Sequence, residues 1–221
     1  MQKIIVVIIV VLLLVGVGFV LSSSKNLKQS EKKQETRDDI LAPVVIDRVP
    51  YESLKDRHPR GDEFVQGILN ALDDLEDEDS INDLNALLAM GANLNLLEEK
   101  EEALEWYGKA LLLDLTNITA LNNIANIYSD LARYEESETA WLTLLEAYPN
   151  RVPAYRSLGY LYQFRLLKSP EEIEALFLKG LEATNNHFDL FNWLISYFLE
   201  TGNNEKFVEY ANLLNASSKS Q

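Results

Sequence analysis

From about residue 84 to the end, large, small and aromatic positions recur in register at Met90-Gly91-Ala92-Asn93-Leu94, Ile124-Ala125-Asn126-Ile127-Tyr128 and Leu158-Gly159-Tyr160-Leu161-Tyr162, a step of 34 residues each time. After a two-residue insertion the pattern returns at Leu194-Ile195-Ser196-Tyr197-Phe198. Within each copy the apolar positions fall three and four residues apart, the spacing of one helix face. A period of this length holds two helices and a turn. The pattern therefore predicts four helical hairpins over about 84–117, 118–151, 152–187 and 188–221. Upstream, Gly61-Asp62 opens a further predicted helix with Phe64, Ile68, Leu72 and Leu75 on one face. It is read as a capping helix over 61–79 that covers the open side of the first hairpin.

Local signals agree. Ser80 with Asp83 three residues on reads as a capped helix start, and Ser169-Pro170-Glu171-Glu172 combines a capping serine, proline in the first turn and glutamate at the third position. Gly202-Asn203-Asn204 marks a turn needing positive φ inside the last hairpin.

The register carries more than a period. The first helices read Leu87, Met90, Gly91, Leu94; then Leu121, Ile124, Ala125, Tyr128; then Tyr155, Leu158, Gly159, Tyr162; then Phe191, Leu194, Ile195, Phe198. In this the chain resembles the tetratricopeptide repeat family. Its second helices show that family's spacing as Ala103, Tyr107, Ala110, as Ser137, Trp141, Leu144 and as Ile173, Phe177, Gly180. Pro149 closes the second copy, and copy four departs, with Phe207 where a small residue is usual and Ala211 where an aromatic is usual. The resemblance implies an all-α, right-handed superhelical solenoid in which small residues admit the second helix of each hairpin. It also implies a concave groove lined by the first helices. The inner positions are then Asn85, Leu88, Ala92 and Asn95; Thr119, Asn122, Asn126 and Ser129; Arg156, Tyr160, Gln163 and Phe164; and Asn192. Amides dominate the first two copies, and the lysines with which chaperone-receptor members hold a terminal carboxylate are missing.

Ahead of the repeats, Ile4 to Leu21 are 18 consecutive uncharged, apolar positions. A helix of that length spans roughly 27 Å, close to a bilayer core, and predicts a single-pass anchor over 1–21. A cleaved export signal is the competing reading, with Ser22 and Ser24 as small residues for the cut. Lipoprotein processing is excluded because the chain has no cysteine. Residues 22–60 read as a mostly disordered tether, since Ser22 to Asp39 is almost wholly polar. Within it, Ile40 to Pro50 forms a short extended apolar segment. Lys25, Lys28, Lys32, Lys33 and Arg37 after the run, against Lys3 before it, point the repeats to the cytoplasm. A basic residue at the head of a long apolar run and the absence of cysteine point the other way, and the extracytoplasmic side is favoured.

Charge narrows the partners. The chain carries 20 basic and 35 acidic residues; residues 1–39 hold six and four of these, which leaves 14 against 31, or -17, for the rest. Nucleic acid is a poor ligand for such a surface. The acid run from Asp73 to Asp79 lacks the glycine and downstream glutamate of a calcium loop and reads as a solvated helix junction. The two histidines, His58 and His187, sit in no metal or catalytic spacing, so no enzyme, metal or cofactor is expected. Asn117-Ile118-Thr119 and Asn215-Ala216-Ser217 match the short N-glycosylation pattern. The composite expectation is a membrane-tethered adaptor that binds a protein or peptide segment in its groove, in envelope assembly, secretion or quality control. The alternative is a structural subunit of a permanent membrane-associated complex, its groove filled by a neighbour or by self-association.

Overall fold

The computed structural model describes Ile40, residues 48–76 and residues 82–217; the expected anchor at Ile4 to Leu21, the polar stretch Ser22 to Asp39 and Asp77 to Ser80 lie outside the described residues. Among the described residues the chain is all-α, with ten helices, and none of them is long and apolar enough to cross a membrane. The chain divides into two compact units, Met1–Leu115 and Thr116–Gln221.

The first unit contains α1 (Val49–Glu52), α2 (Gly61–Glu76), α3 (Asp83–Leu96) and α4 (Lys100–Leu113). The face of α2 that holds Phe64, Ile68, Leu72 and Leu75 is buried, and the helix packs along α3, where Gly67 lies against the Asn93 side chain. In the hairpin of α3 and α4, Leu87, Met90, Leu94, Ala103, Tyr107 and Ala110 are all fully buried. Gly91 makes this closure work, because a Cβ there would stand 2.9 Å from the Tyr107 ring. The Tyr107 hydroxyl finds no partner among the described residues, and burial pushes its pKa up to about 12.

Two expectations for this unit are corrected. Residues 41–47 of the expected extended segment lie outside the described residues, but residues 48–60 are folded: Val49 and Pro50 belong to a helical turn rather than an extended segment, with Pro50 at a first-turn position where its missing N–H is no loss. A 3-10 turn, Lys55–Arg57, follows. The segment is tied down by charge, since Arg48 reaches Asp73 at 2.6 Å and Glu76 at 2.9 Å, Tyr51 donates to Glu102 at 2.7 Å, and Arg57 pairs with Glu99. These contacts are non-local and leave no trace in local composition. The first repeat helix, expected to open at Ser80, is described from Asp83, with Asn82 at the cap position and no side-chain cap bond.

The second unit holds three hairpins: α5 (Ile118–Asp130) with α6 (Tyr134–Ala147), α7 (Val152–Phe164) with α8 (Pro170–Ala183), and α9 (Phe188–Glu200) with α10 (Asn204–Ser217). Asn117 caps α5 by accepting from the Ala120 amide at 3.0 Å. The capping box at Ser169 forms in full, Ser169 accepting from the Glu172 amide and Glu172 from the Ser169 amide. In the α5 hairpin, the buried Ser137 hydroxyl donates to the Ala125 carbonyl at 2.7 Å, a contact only small residues at both positions permit. In the α7 hairpin a Cβ at Gly159 would meet the Phe177 ring at 2.6 Å and Trp193 at 3.0 Å. The last hairpin solves the problem differently. Half-buried Ile195 stands at the small position, so the ring arrives one residue early: Tyr210, fully buried, stacks on Phe198 with centroids 5.7 Å apart.

Each first helix ends on a residue with positive φ: Glu98 (64°), Ala132 (58°), Leu167 (50°) and Gly202 (76°). The chain then closes by a backbone bond from Glu99 to Leu94, Arg133 to Tyr128, Lys168 to Tyr162 and Asn203 to Phe198, at 2.8–3.0 Å. The third spans one residue more, because the two-residue insertion lies in this turn. Gly202 is the position the sequence marks for this conformation; in the other three turns a side-chain-bearing residue bears a cost of about 1–2 kcal/mol to be there.

Two carboxylates tie hairpins of this unit together. Glu138 on α6 pairs with Lys168 at 3.4 Å, and burial together with this carboxylate raises the pKa of Tyr162. Glu174 on α8 accepts from Tyr210 and pairs with Lys206 at 2.8 Å. Burial disfavours the charged form of Glu174, but the bonds from Lys206 and Tyr210 outweigh it and hold its pKa below the ordinary 4.5. Lys206 is held up to about 12, by its bonds to Glu174 and then Glu209.

Two stability outcomes follow from this packing. Gly159→Ala should destabilise by about 1–2 kcal/mol, because Phe177 is buried and stacked on Trp193 and cannot yield, which outweighs the gain in helix propensity. Gly108→Ala, where a Cβ meets nothing within 4 Å, should instead stabilise by about 0.5–1 kcal/mol; denaturant titration of the two variants checks the opposite signs. Because the folded pKa of Glu174 is depressed, its contribution is complete above the unfolded carboxylate value and is lost as pH falls through the folded one. Glu174→Gln should therefore cost about 1–2 kcal/mol near pH 7 and flatten the fall in stability below about pH 5, as read from thermal melts across acid pH.

Candidate functional site

The sequence places the inner-face candidates on four helices. In the first unit, Asn85 on α3 is exposed and Asn95 half-buried, with the Asn95 side-chain oxygen sequestered and without a partner among the described residues. In the second unit, Asn126 on α5 is exposed and Asn122 half-buried, and neither amide is engaged in a side-chain hydrogen bond among the described residues. Asn192 on α9 is exposed. These amides offer donors and acceptors to a passing backbone.

On α7 the candidates do come together. Arg156, Tyr160 and Phe164 stand one turn apart on one helical face, all exposed, with Gln163 half-buried beside them. Tyr160 and Phe164 are 51% and 54% exposed, unusual for aromatic side chains in contact with each other. Their rings stack with centroids 6.0 Å apart and planes 18° from parallel. Phe164 does not fold into the local core with Leu166 or Leu167; Leu167 is 76% exposed. Among the described residues Arg156 has no ion-pair partner. Gln163 donates to Glu200 on α9 at 3.5 Å.

Beneath this face lies a residue the repeat pattern does not single out. Trp193 on α9 meets Tyr160 edge-on at 6.1 Å, stacks on Phe177 at 4.0 Å and on Tyr197 at 5.4 Å, and is itself buried. The rings continue through Phe198 to Tyr210. Phe164 and Tyr160 are thus the exposed end of an aromatic ladder rooted in the core, which fixes their orientation before anything binds. The signal for Trp193 was its departure from register: the same position in the other copies holds Ala89, Asn123 and Ser157, and a ring there has to seat against the neighbouring hairpin.

Other candidate chemistry is occupied by structure. His187 caps α9, its Nδ1 accepting from the Asp189 amide at 3.3 Å, and His58 Nδ1 accepts from the Arg60 amide at 3.0 Å. Asp73 and Glu76, from the acidic run, are engaged by Arg48. Among the described residues no group of three or more His, Asp or Glu is placed to hold a metal ion.

No protein-family model and no curated protein sequence matches the chain. Solved structures do. A tetratricopeptide repeat protein from Parabacteroides merdae superposes with a TM-score of 0.56 and 23% identity, over 76% of this chain and 67% of that one. A structure of MamA gives 0.54 and 15%, over 75% and 95%, and MamA from Desulfovibrio magneticus gives 0.51 and 17%, over 79% and 96%. At these identities the likeness is one of fold: the chain has a tetratricopeptide-repeat-like fold.

Proposed function

We propose that this protein is a membrane-tethered adaptor that holds a segment of another protein on the exposed face of α7. The observation that carries the reading is the Tyr160–Phe164 pair, half out in solvent yet braced from below by Trp193, with the unpaired Arg156 one turn away. Rigid aromatics and arginine are the side chains that most often dominate interface energy, and a pre-braced pair loses little entropy on binding. A repeat fold without clustered catalytic chemistry among its described residues fits a binding role rather than an enzymatic one.

In the same reading, Ile4 to Leu21 anchor the chain and the polar stretch Ser22 to Asp39 spaces the repeats from the bilayer. The repeats lie on the extracytoplasmic side, which the lysine ahead of the apolar run and the lack of cysteine support. The setting is envelope assembly, secretion or quality control. A second reading has its own observation: Leu199, Val208 and Leu213 on the last hairpin are 57%, 51% and 46% exposed, apolar surface that a fixed neighbour or another copy would cover in a permanent complex.

Co-purification after cross-linking in the native membrane tests the adaptor. Arg156→Ala and Tyr160→Ala should each weaken partner capture by about 1–3 kcal/mol while the melting temperature moves by no more than about 2 °C. Unchanged capture in both variants, or a large loss of stability in either, would place the binding surface elsewhere. Attachment has a separate test: the full-length chain should stay with membranes through salt and alkaline washes, and external protease should digest the repeats in intact cells. Recovery of the intact chain in the wash rejects the anchor, and protection until the membrane is broken reverses the side.

A further inference from the structure

The charge of α7 and its flanks is opposite to that of the rest of the molecule. No acidic residue stands between Glu146 and Glu171, whereas Arg151, Arg156, Arg165 and Lys168 all do; elsewhere beyond residue 39 acids outnumber bases three to one. Two of the four cations are already used inside the fold, Lys168 by Glu138 at 3.4 Å and Arg165 over the Tyr134 ring at 5.7 Å. Arg151 and Arg156 have no ion-pair partner among the described residues. Both lie in or beside the first turns of α7, the end at which the helix dipole also favours negative charge. Glu200 on α9 is held by Gln163 at the opposite end of the helix face. The face is therefore graded, cationic at the start of α7 and apolar toward its end.

Resting on the adaptor reading, we infer that the segment held on α7 is an acidic peptide with an apolar anchor: a large aliphatic or aromatic side chain seated on Tyr160 and Phe164, and a carboxylate set against Arg156. The spacing follows from helix geometry. Arg156 lies one turn, about 6 Å, from Tyr160 and two turns, about 12 Å, from Phe164. An extended chain advances about 3.3 Å per residue, so the carboxylate falls two to four residues from the anchor. A segment made only of acids would be repelled by the surrounding surface and would leave the rings uncovered. An apolar segment without acids would leave Arg156 unsatisfied. A nucleic acid, charged at every residue, meets the repulsion of the whole chain for the sake of two free cations.

The test is an unbiased array of immobilised 12-residue peptides probed with the full-length chain in mild detergent, beside the Arg156→Gln, Phe164→Ala and Lys179→Gln variants. Lys179 is an exposed cation on α8 and controls for bulk charge. The expected result is retention on peptides that carry an acid two to four residues from a large apolar residue, reduced about five-fold or more by Arg156→Gln and by Phe164→Ala and unchanged by Lys179→Gln. Retention on peptides without acids, or equal loss with Lys179→Gln, overturns the inference and leaves the adaptor reading standing. Retention on no peptide overturns both. Preferential retention on a peptide spanning this chain's own Asp73–Asp79 run assigns the face to a second copy instead, and displacement of bound peptide by a poly-dT oligonucleotide assigns it to nucleic acid; either result overturns the proposal.

Discussion

Everything in this fold rests on how closely two helices of one hairpin can approach. At Gly91 and Gly159 the missing Cβ is the seat of a ring from the second helix, Tyr107 in one case and Phe177 in the other, at distances no side chain could share. At Ala125 the same closeness lets the Ser137 hydroxyl reach the main chain. A short helix of 13 or 14 residues is marginal in water on its own, so these hairpins exist because the small-to-large fit buries an apolar seam that neither helix could bury alone. The backbone accepts strain to keep it. Glu98, Ala132 and Leu167 are held in the left-handed region without being glycine, since the hairpin must turn there for the rings to meet their sockets.

The last hairpin shows what happens when the fit is lost. With Ile195 at the small position and Ala211 where the ring is usual, the aromatic role passes to Tyr210, which stacks on Phe198 and reaches back to Glu174 on α8. Polar ties of this kind replace part of the apolar seam. They make the end of the chain dependent on ionisation, through Glu174 and Lys206.

The candidate site is a by-product of the same packing. Trp193 crosses from α9 to fill space over Gly159 and Phe177, and in doing so it props Tyr160 from beneath. Phe164 stacks on Tyr160 and stays outside. An exposed aromatic pair is ordinarily mobile; here one end of it is fixed to the core, and Arg156 on the same face has no ion-pair partner among the described residues. The candidate face and the core therefore share one network of rings, with Trp193 as the member common to both.

Much of this was legible in the residues themselves. The 34-residue step, the Gly91, Ala125 and Gly159 sockets, the capping box at Ser169 and the turn at Gly202 are all local or periodic, so the chemistry that creates them is written in consecutive residues. The inner-face placing of Arg156, Tyr160, Gln163 and Phe164 is what the resemblance to the repeat family implies. What only the tertiary structure decided is non-local: that Phe164 stays out of the core, that Trp193 lies under Tyr160, that Arg48, Tyr51 and Arg57 bind the segment before α2 to acids as many as 51 residues away, and that three turns without glycine adopt positive φ. None of these follows from propensity, because each is fixed by a partner elsewhere in the chain and by the packing that leaves the residue no other place to go.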